Sequence, residues 1–271
     1  MVKDTDRRAI LMMKLEMGRV TVEIEEAVLN EALRLYRDNC TRRMLKTLES
    51  DLEYRFSAHY KKNNECLLAR LCERYGSDKG AIRTDGHPYP WAPHTYADLY
   101  SRLFEHCRFG MERIFECGLG TNNPNLKSNM GTNGKPGASL HVWRDYFPNA
   151  RIIGADIDRT ILFEDERIKT GYMDQTNPDS IQEFWKAVGV EGFDLMIDDG
   201  LHTFPAGVCL FENSILKLKN NGIYVIEDVG LQDLLNYRHY FHTTKYRVDY
   251  VTMFRPNLEL GDNNLIVIRQ A

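Results

Sequence analysis

From residue 111 onward, short apolar runs alternate with longer stretches in which apolar residues recur at helical intervals. The runs near 112–117, 150–156, 167–171, 193–198 and 222–227 have the length of buried strands, and segments 139–147, 178–188 and 204–218 suit the crossovers between them. Two late runs, 246–254 and 263–269, fit an antiparallel ending. This order predicts an open α/β sheet with a mixed edge. Residues 21–75 are rich in Ala, Leu, Glu and Arg, and Val28, Leu29, Leu33, Leu35 and Tyr36 mark an apolar face suited to intramolecular packing or a subunit contact. Neither a sustained heptad nor a basic amphipathic face favours a coiled coil or a membrane-surface helix. The predicted division is an N-terminal helical extension over 1–75, a candidate oligomerisation region, and a sheet domain over 76–271.

Composition changes this picture little. The 271 residues are 43% apolar and 27% charged, as in an ordinary globular chain able to bury a sizeable core. The 35 basic residues are dispersed against 39 acidic ones, a net charge of -4, which argues against a nucleic-acid partner. Cys40, Cys66, Cys72, Cys107, Cys117 and Cys209 form no CxxC pair or secreted framework, and no secretory segment or long apolar span is apparent, so a cytoplasmic protein with no membrane partner is expected.

The chemistry gathers where predicted strands end. Ile114-Phe115-Glu116-Cys117-Gly118-Leu119-Gly120-Thr121 reads as a buried strand entering a tight turn, whose glycines allow close approach by a cofactor. Asn123 stands where a dinucleotide fingerprint has its third glycine, and a polar, Gly-rich insertion over 121–138 displaces the expected helix, so pyrophosphate binding is disfavoured. Asp156 ends the second run, where its carboxylate can accept from two ribose hydroxyls; Asp174-Gln175 follows the third and can reach an adenine edge. Asp198-Asp199-Gly200-Leu201-His202 and Glu227-Asp228 end two further runs, where ligand crevices form in parallel sheets. Hard oxygen ligands with an imidazole nearby suit a divalent ion and proton transfer, although the same acids could serve Arg, Lys or helix amino termini.

Together with Tyr75-Gly76-Ser77-Asp78-Lys79-Gly80, these motifs resemble the class I S-adenosylmethionine-dependent methyltransferases, especially sugar O-methyltransferases of macrolide and bacterial polysaccharide-precursor pathways. The resemblance runs most clearly from 72 to 271. It implies a Rossmann-like seven-stranded sheet in the order 3-2-1-4-5-7-6 with the last strand antiparallel. It further implies S-adenosylmethionine over Glu116, Gly118 and Gly120, its ribose near Asp156, its adenine near Asp174 and Gln175, and Asp198 beside the donor. Magnesium would be held by Asp199, Glu227 and Asp228, with His202 as general base and Asp199 as a further catalytic group. Asp78, Lys79, His94 and Tyr96 would cover the donor and acceptor.

The expected activity is O-methylation of a sugar hydroxyl on a small molecule, with nucleotide-linked sugars among the acceptors, by a homo-oligomer, most simply a dimer. A nonmethylating nucleotide-sugar enzyme, a methyltransferase for small catechol-like acceptors and a noncatalytic nucleotide-binding protein are the alternatives. The absence of a Tyr-x-x-x-Lys arrangement counts against standard hydride transfer.

Overall fold

The computed structural model describes residues 66–80, 91–254 and 261–270, together with residues 58, 60, 62 and 89. The apolar face at Val28, Leu29, Leu33, Leu35 and Tyr36, and most of the 1–75 extension, lie outside the described residues. The elements follow one another as α1 (Leu67–Tyr75), α2 (Tyr96–Phe104), β1 (Arg113–Cys117), α3 (Ala138–Tyr146), β2 (Arg151–Asp156), β3 (Glu164–Asp165), β4 (Ile168–Tyr172) and α4 (Pro178–Val188). Then come β5 (Phe193–Asp198), α5 (Phe204–Ser214), β6 (Leu218–Ile226), α6 (Leu231–Phe241), β7 (Arg247–Thr252) and β8 (Asn264–Arg269).

The sheet has eight strands in the order β3-β4-β2-β1-β5-β6-β8-β7, which corrects the expected seven strands in the order 3-2-1-4-5-7-6. The addition is β3, a two-residue exposed strand that folds back antiparallel onto β4 at the outer edge. Its brevity explains why alternation could not reveal it: two polar residues carry no period. Strands β4, β2, β1, β5 and β6 run parallel, and β8 lies antiparallel between β6 and β7.

Side-chain alternation along each strand assigns the two faces. On one face Ile114, Leu195, Ile197 and Val225 join the core built by Leu68, Leu71 and Cys72 of α1, Tyr100 of α2 and Trp143 of α3. Across the sheet, Phe115 packs against Phe184 and Trp185 of α4, and Tyr224 against Phe211 of α5. Trp143 is wholly buried, and such a side chain contributes about 3–5 kcal/mol by comparison with alanine.

Helix ends follow local chemistry. Asn177 accepts from the backbone N–H groups of Asp179 and Ser180 ahead of Pro178 in α4, and left-handed Gly189 closes that helix. The described cysteines Cys66, Cys72, Cys107, Cys117 and Cys209 form no disulfides. Among the described residues, no helix is long and apolar enough to cross a membrane.

Candidate active site

A cleft opens along the carboxyl ends of β1, β2, β4 and β5. Its floor is the turn after β1. Gly118 and Gly120 have φ of 96° and 78°, and a Cβ on Gly118 would lie 2.0 Å from the carbonyl oxygen of Asp199. The first glycine is thus demanded by the neighbouring backbone as well as by the cleft. Gly118→Ala is expected to cost about 3 kcal/mol or more, from left-handed strain plus overpacking. Gly131→Ala isolates the first effect, since Gly131 also has positive φ (70°) but a Cβ there would meet no heavy atom within 4 Å. Equal losses in urea denaturation would refute the close approach at Gly118.

Asp156 forms one wall. Its two carboxylate oxygens accept from the backbone N–H of Leu119 at 2.7 Å and of Asp158 at 2.8 Å, fastening the turn to the end of β2. Each oxygen retains a second lone pair for a ligand hydroxyl. Asp174 also lines the cleft, its Oδ1 accepting from Thr176. Gln175 lines the cleft as well, its amide donating to Asp198 Oδ1 at 2.6 Å and accepting from the backbone N–H of Leu201 at 2.8 Å.

The 121–138 insertion is an ordered excursion that lines the cleft with Lys127, Ser128, Met130 and Lys135. The N–H of Met130 donates to the Thr121 carbonyl at 2.8 Å, and that of Gly137 to the Leu119 carbonyl at 2.7 Å. Asn122 donates to the carbonyls of Gly131 and Gly134, closing the base.

Strand alternation then sorts the acids. Glu116 shares the β1 face of Ile114, and beyond the last paired residues of β5 and β6, Asp199 and Glu227 share an ammonium with it. Lys79 Nζ lies 2.5 Å from Asp199 Oδ2, within hydrogen-bond contact of Glu227 Oε2, and 3.5 Å from Glu116 Oε1. Tyr100 donates to Glu227 Oε1 at 2.6 Å, and the Trp143 indole donates to Glu116 Oε2. Glu116 therefore sits beneath the cleft, wholly buried. Asp198 points to the opposite face, where its buried Oδ2 has no hydrogen-bond partner.

Asp228 and His202 both adopt left-handed backbone, with φ of 53° and 55°. Asp and His tolerate this region better than branched residues do. His202 consequently lies between two carboxylates, 3.3 Å from Asp199 Oδ1 and 3.6 Å from Asp228 Oδ2. One ligand atom from each of Asp199, His202 and Asp228 falls within 4.8 Å of the others, a spacing compatible with one cation. Behind them, Tyr96 donates to Asp228 Oδ1 at 2.6 Å and His94 Nε2 lies 3.5 Å from the same oxygen. Asp78 lines the cleft and accepts from the Trp91 indole at 2.8 Å. Of the four expected cover residues, Asp78 and Lys79 border the cleft, while His94 and Tyr96 support Asp228.

Charge balance follows from burial. Desolvation raises the Asp199 pKa, but Lys79 and His202 outweigh it and hold the carboxyl at about 2. Burial pushes Glu116 up to about 7 and Glu227 well above the usual carboxylate range, against the pull of Lys79. For His202, burial acts downward, but Asp228 and Asp199 prevail and raise it to about 10 in the ion-free site. Sequence reading does not anticipate Lys79 as the common partner of three acids, nor Tyr100 and Trp143 as their donors. The one local signal is Tyr100, a single helical turn after Tyr96 on α2.

The fold has solved counterparts. The MycE methyltransferase of the mycinamycin biosynthetic pathway, in complex with Mg and SAH, superposes with a TM-score of 0.54 at 21% identity, covering 77% of this chain and 55% of that one. Its complex with Mg, SAH and mycinamycin VI gives 0.52 at 21% identity, covering 74% and 54%. The fold is that of a class I methyltransferase. Among curated proteins, this methyltransferase-fold chain is 30% identical over 162 residues to the 8-demethyl-8-alpha-L-rhamnosyl tetracenomycin-C 2'-O-methyltransferase of Streptomyces olivaceus, covering 60% of this chain and 37% of that protein. It is also 32% identical over 173 residues to the L-olivosyl-oleandolide 3-O-methyltransferase of Streptomyces antibioticus, covering 63% and 39%. The chain spans about a third of the length of the curated relatives it matches. No family model matches it.

Proposed function

We propose that this chain is an S-adenosylmethionine-dependent O-methyltransferase acting on a sugar hydroxyl of a small-molecule glycoside, with nucleotide-linked sugars as further acceptors. The observation that carries the reading is the juxtaposition, in one cleft, of the Gly118–Gly120 turn and Asp156 with the Asp199–His202–Asp228 cluster. Support comes from relatives named for methylating sugar hydroxyls and from a fold neighbour solved with Mg and SAH.

Asp156 would receive the donor's ribose hydroxyls, while Asp174 would contact its adenine end. Gln175 would keep the Asp198–Leu201 segment in position through the two hydrogen bonds it makes. S-adenosylmethionine supplies an electrophilic methyl group on a positive sulfur. The carboxylates of Asp199 and Asp228 fit a divalent cation such as Mg²⁺, with Glu227 adjacent, and the bound ion supplies charge that eases ionisation of a sugar hydroxyl. His202, in its neutral form, would accept the hydroxyl proton as the oxygen approaches the methyl carbon in line with the departing sulfur. Tyr96 and His94 orient Asp228, and the cleft walls align the reactants.

Mass-resolved turnover with isotopically labelled S-adenosylmethionine, Mg²⁺ and a panel of glycoside, nucleotide-linked and catechol acceptors tests this reading. Labelled methyl appearing on a sugar oxygen supports it. Transfer only to catechols would refute the sugar assignment, and donor binding without transfer to any acceptor would refute the enzymatic one. Asp156→Ala is expected to weaken donor binding about tenfold or more, the loss of a charge-assisted hydrogen bond, with unchanged affinity in calorimetry counting against the donor orientation. We further assign a homodimer to the apolar face over residues 21–75. Sedimentation across a broad concentration range should show a dimer; a persistent monomer overturns that assignment alone.

A further inference from the structure

Glu116 Oε1 is a fully buried carboxylate oxygen with no hydrogen-bond partner, and it faces Lys79 Nζ at 3.5 Å. The same ammonium is closely engaged with Asp199 and Glu227. Lys79 is thus drawn to one side of a three-carboxylate cage whose other side holds a free acceptor. Its backbone is anchored, because its carbonyl accepts from Ala97 at 2.9 Å, so only the flexible end of the side chain is available to shift.

We infer that Lys79 is a two-position countercation: it holds Asp199 and Glu227 together in the ion-free protein and withdraws to Glu116 when a divalent cation binds. This rests on the metal-binding reading above. The physical cause is ordinary electrostatics. A cage of three buried acids is strongly unfavourable without a cation, and Lys79 keeps its geometry intact before the ion arrives. A divalent ion at Asp199 repels the ammonium, and Glu116 Oε1 supplies the compensating contact after a shift of less than about 1 Å from its present separation to hydrogen-bond length. Lys79 is a positioning residue, lowering ion affinity by competition while preventing mutual repulsion from splaying the carboxylates apart. Glu116, which does not border the cleft, governs ion binding through it.

The test measures Mn²⁺ affinity of the full chain by calorimetry and by electron paramagnetic resonance, without turnover. Lys79→Met retains the aliphatic stem but removes the competitor, and should tighten Mn²⁺ binding by about tenfold or more while lowering the melting temperature of the ion-free protein. A lysine with only a packing role would leave binding unchanged in this variant, since the stem is kept. Glu116→Gln retains an acceptor for Trp143, and should weaken Mn²⁺ binding by about tenfold with Lys79 present but by less than about threefold with Met at 79. Weaker or unchanged binding in folded Lys79→Met, or equal effects of Glu116→Gln in both backgrounds, overturns the inference. If Lys79→Met does not fold, Glu116→Gln alone decides: unchanged affinity rejects the receiving role. Wild-type protein that binds no Mn²⁺ overturns the metal reading and this inference together, whereas wild-type binding with no Lys79–Glu116 coupling overturns this inference alone.

Discussion

His202→Asn is expected to lower methyl transfer by about 10²- to 10⁴-fold while leaving donor affinity unchanged, the range attributed to a positioned general base. Asparagine is the informative replacement because the residue sits at φ 55°, where Asn tolerates the left-handed backbone better than most side chains. The comparison therefore isolates proton transfer from backbone strain. Single-turnover kinetics and donor calorimetry measure the two quantities. Near-wild-type transfer by the variant would exclude His202 as the essential base and leave Asp199 as the next candidate. The effect also tests whether the cation cluster and the proton acceptor act at one centre, since the imidazole lies within hydrogen-bonding range of Asp199 and close to Asp228.

Chelation of divalent ions should abolish turnover, with Mg²⁺ restoring it; full activity in verified metal-free protein rejects the catalytic ion. The ion-free protein should also become less stable as pH rises between about 4 and 10. His202 has a folded value of about 10 against 6.5, so its stabilising contribution is complete below 6.5 and is lost through about 10. Asp198 at about 6 and Glu116 at about 7 act in the same direction, because burial favours their protonated forms and their ionisation on the folded side grows costly as pH rises. Asp199, held at about 2, opposes this, its contribution being lost as pH falls through that value, and the lowered values of His141, Asp145, Asp158 and Glu191 act in the same opposing sense. A ligand of the native state stabilises it, so Mg²⁺ at the proposed site should raise the melting temperature most at the alkaline end, where the carboxylates no longer retain protons. Melting curves with chelator and with Mg²⁺ across this range give the answer; a pH-independent ion-free melting temperature contradicts the proposed charge cluster.

The strands that frame the cleft are legible because each is a short apolar run bounded by polar or glycine residues. The apolar run near 222–227 covers only the end of β6, which begins at Leu218. Lys219, Asn220, Asn221 and Gly222 look like a turn, and the pairing with β5 is indeed irregular beside Phe193 and Leu195. Helix α6 is missing from the predicted elements although Leu234, Tyr237 and Phe241 mark its buried side at helical spacing, because apolar and aromatic residues also fall on its other faces at Leu231, Leu235 and Tyr240 and blur the stripe. At the site, the ends of strands identify Asp156, Asp199 and Asp228. The partnership of Lys79 with Asp199 and Glu227 spans 120 and 148 residues of chain, beyond any local period. In the sequence Lys79 is a plausible cleft residue, but only the fold shows which charges it shares. Gln175 shows a second thing hidden from the sequence: it lines the cleft, as its place after the third predicted strand suggests, and its hydrogen bonds also support the loop that carries His202.

The insertion between β1 and α3 is tied at its stem by Asn122, Met130 and Gly137. A loop closed at its base behaves as an exchangeable module: doubling its length would add only about 0.6 kcal/mol of closure entropy, provided the tethering residues remain. Residues 124–128 are therefore expected to accept segments of other length or charge without disturbing the turn at Gly118 or the start of α3, with Asn123 and Asn129 kept because they are hydrogen-bonded to Thr121 and Gly131. Because Lys127 and Ser128 of that segment border the cleft, grafting it offers a route to altered acceptor choice on an unchanged sheet, with the stem residues kept fixed as the splice points.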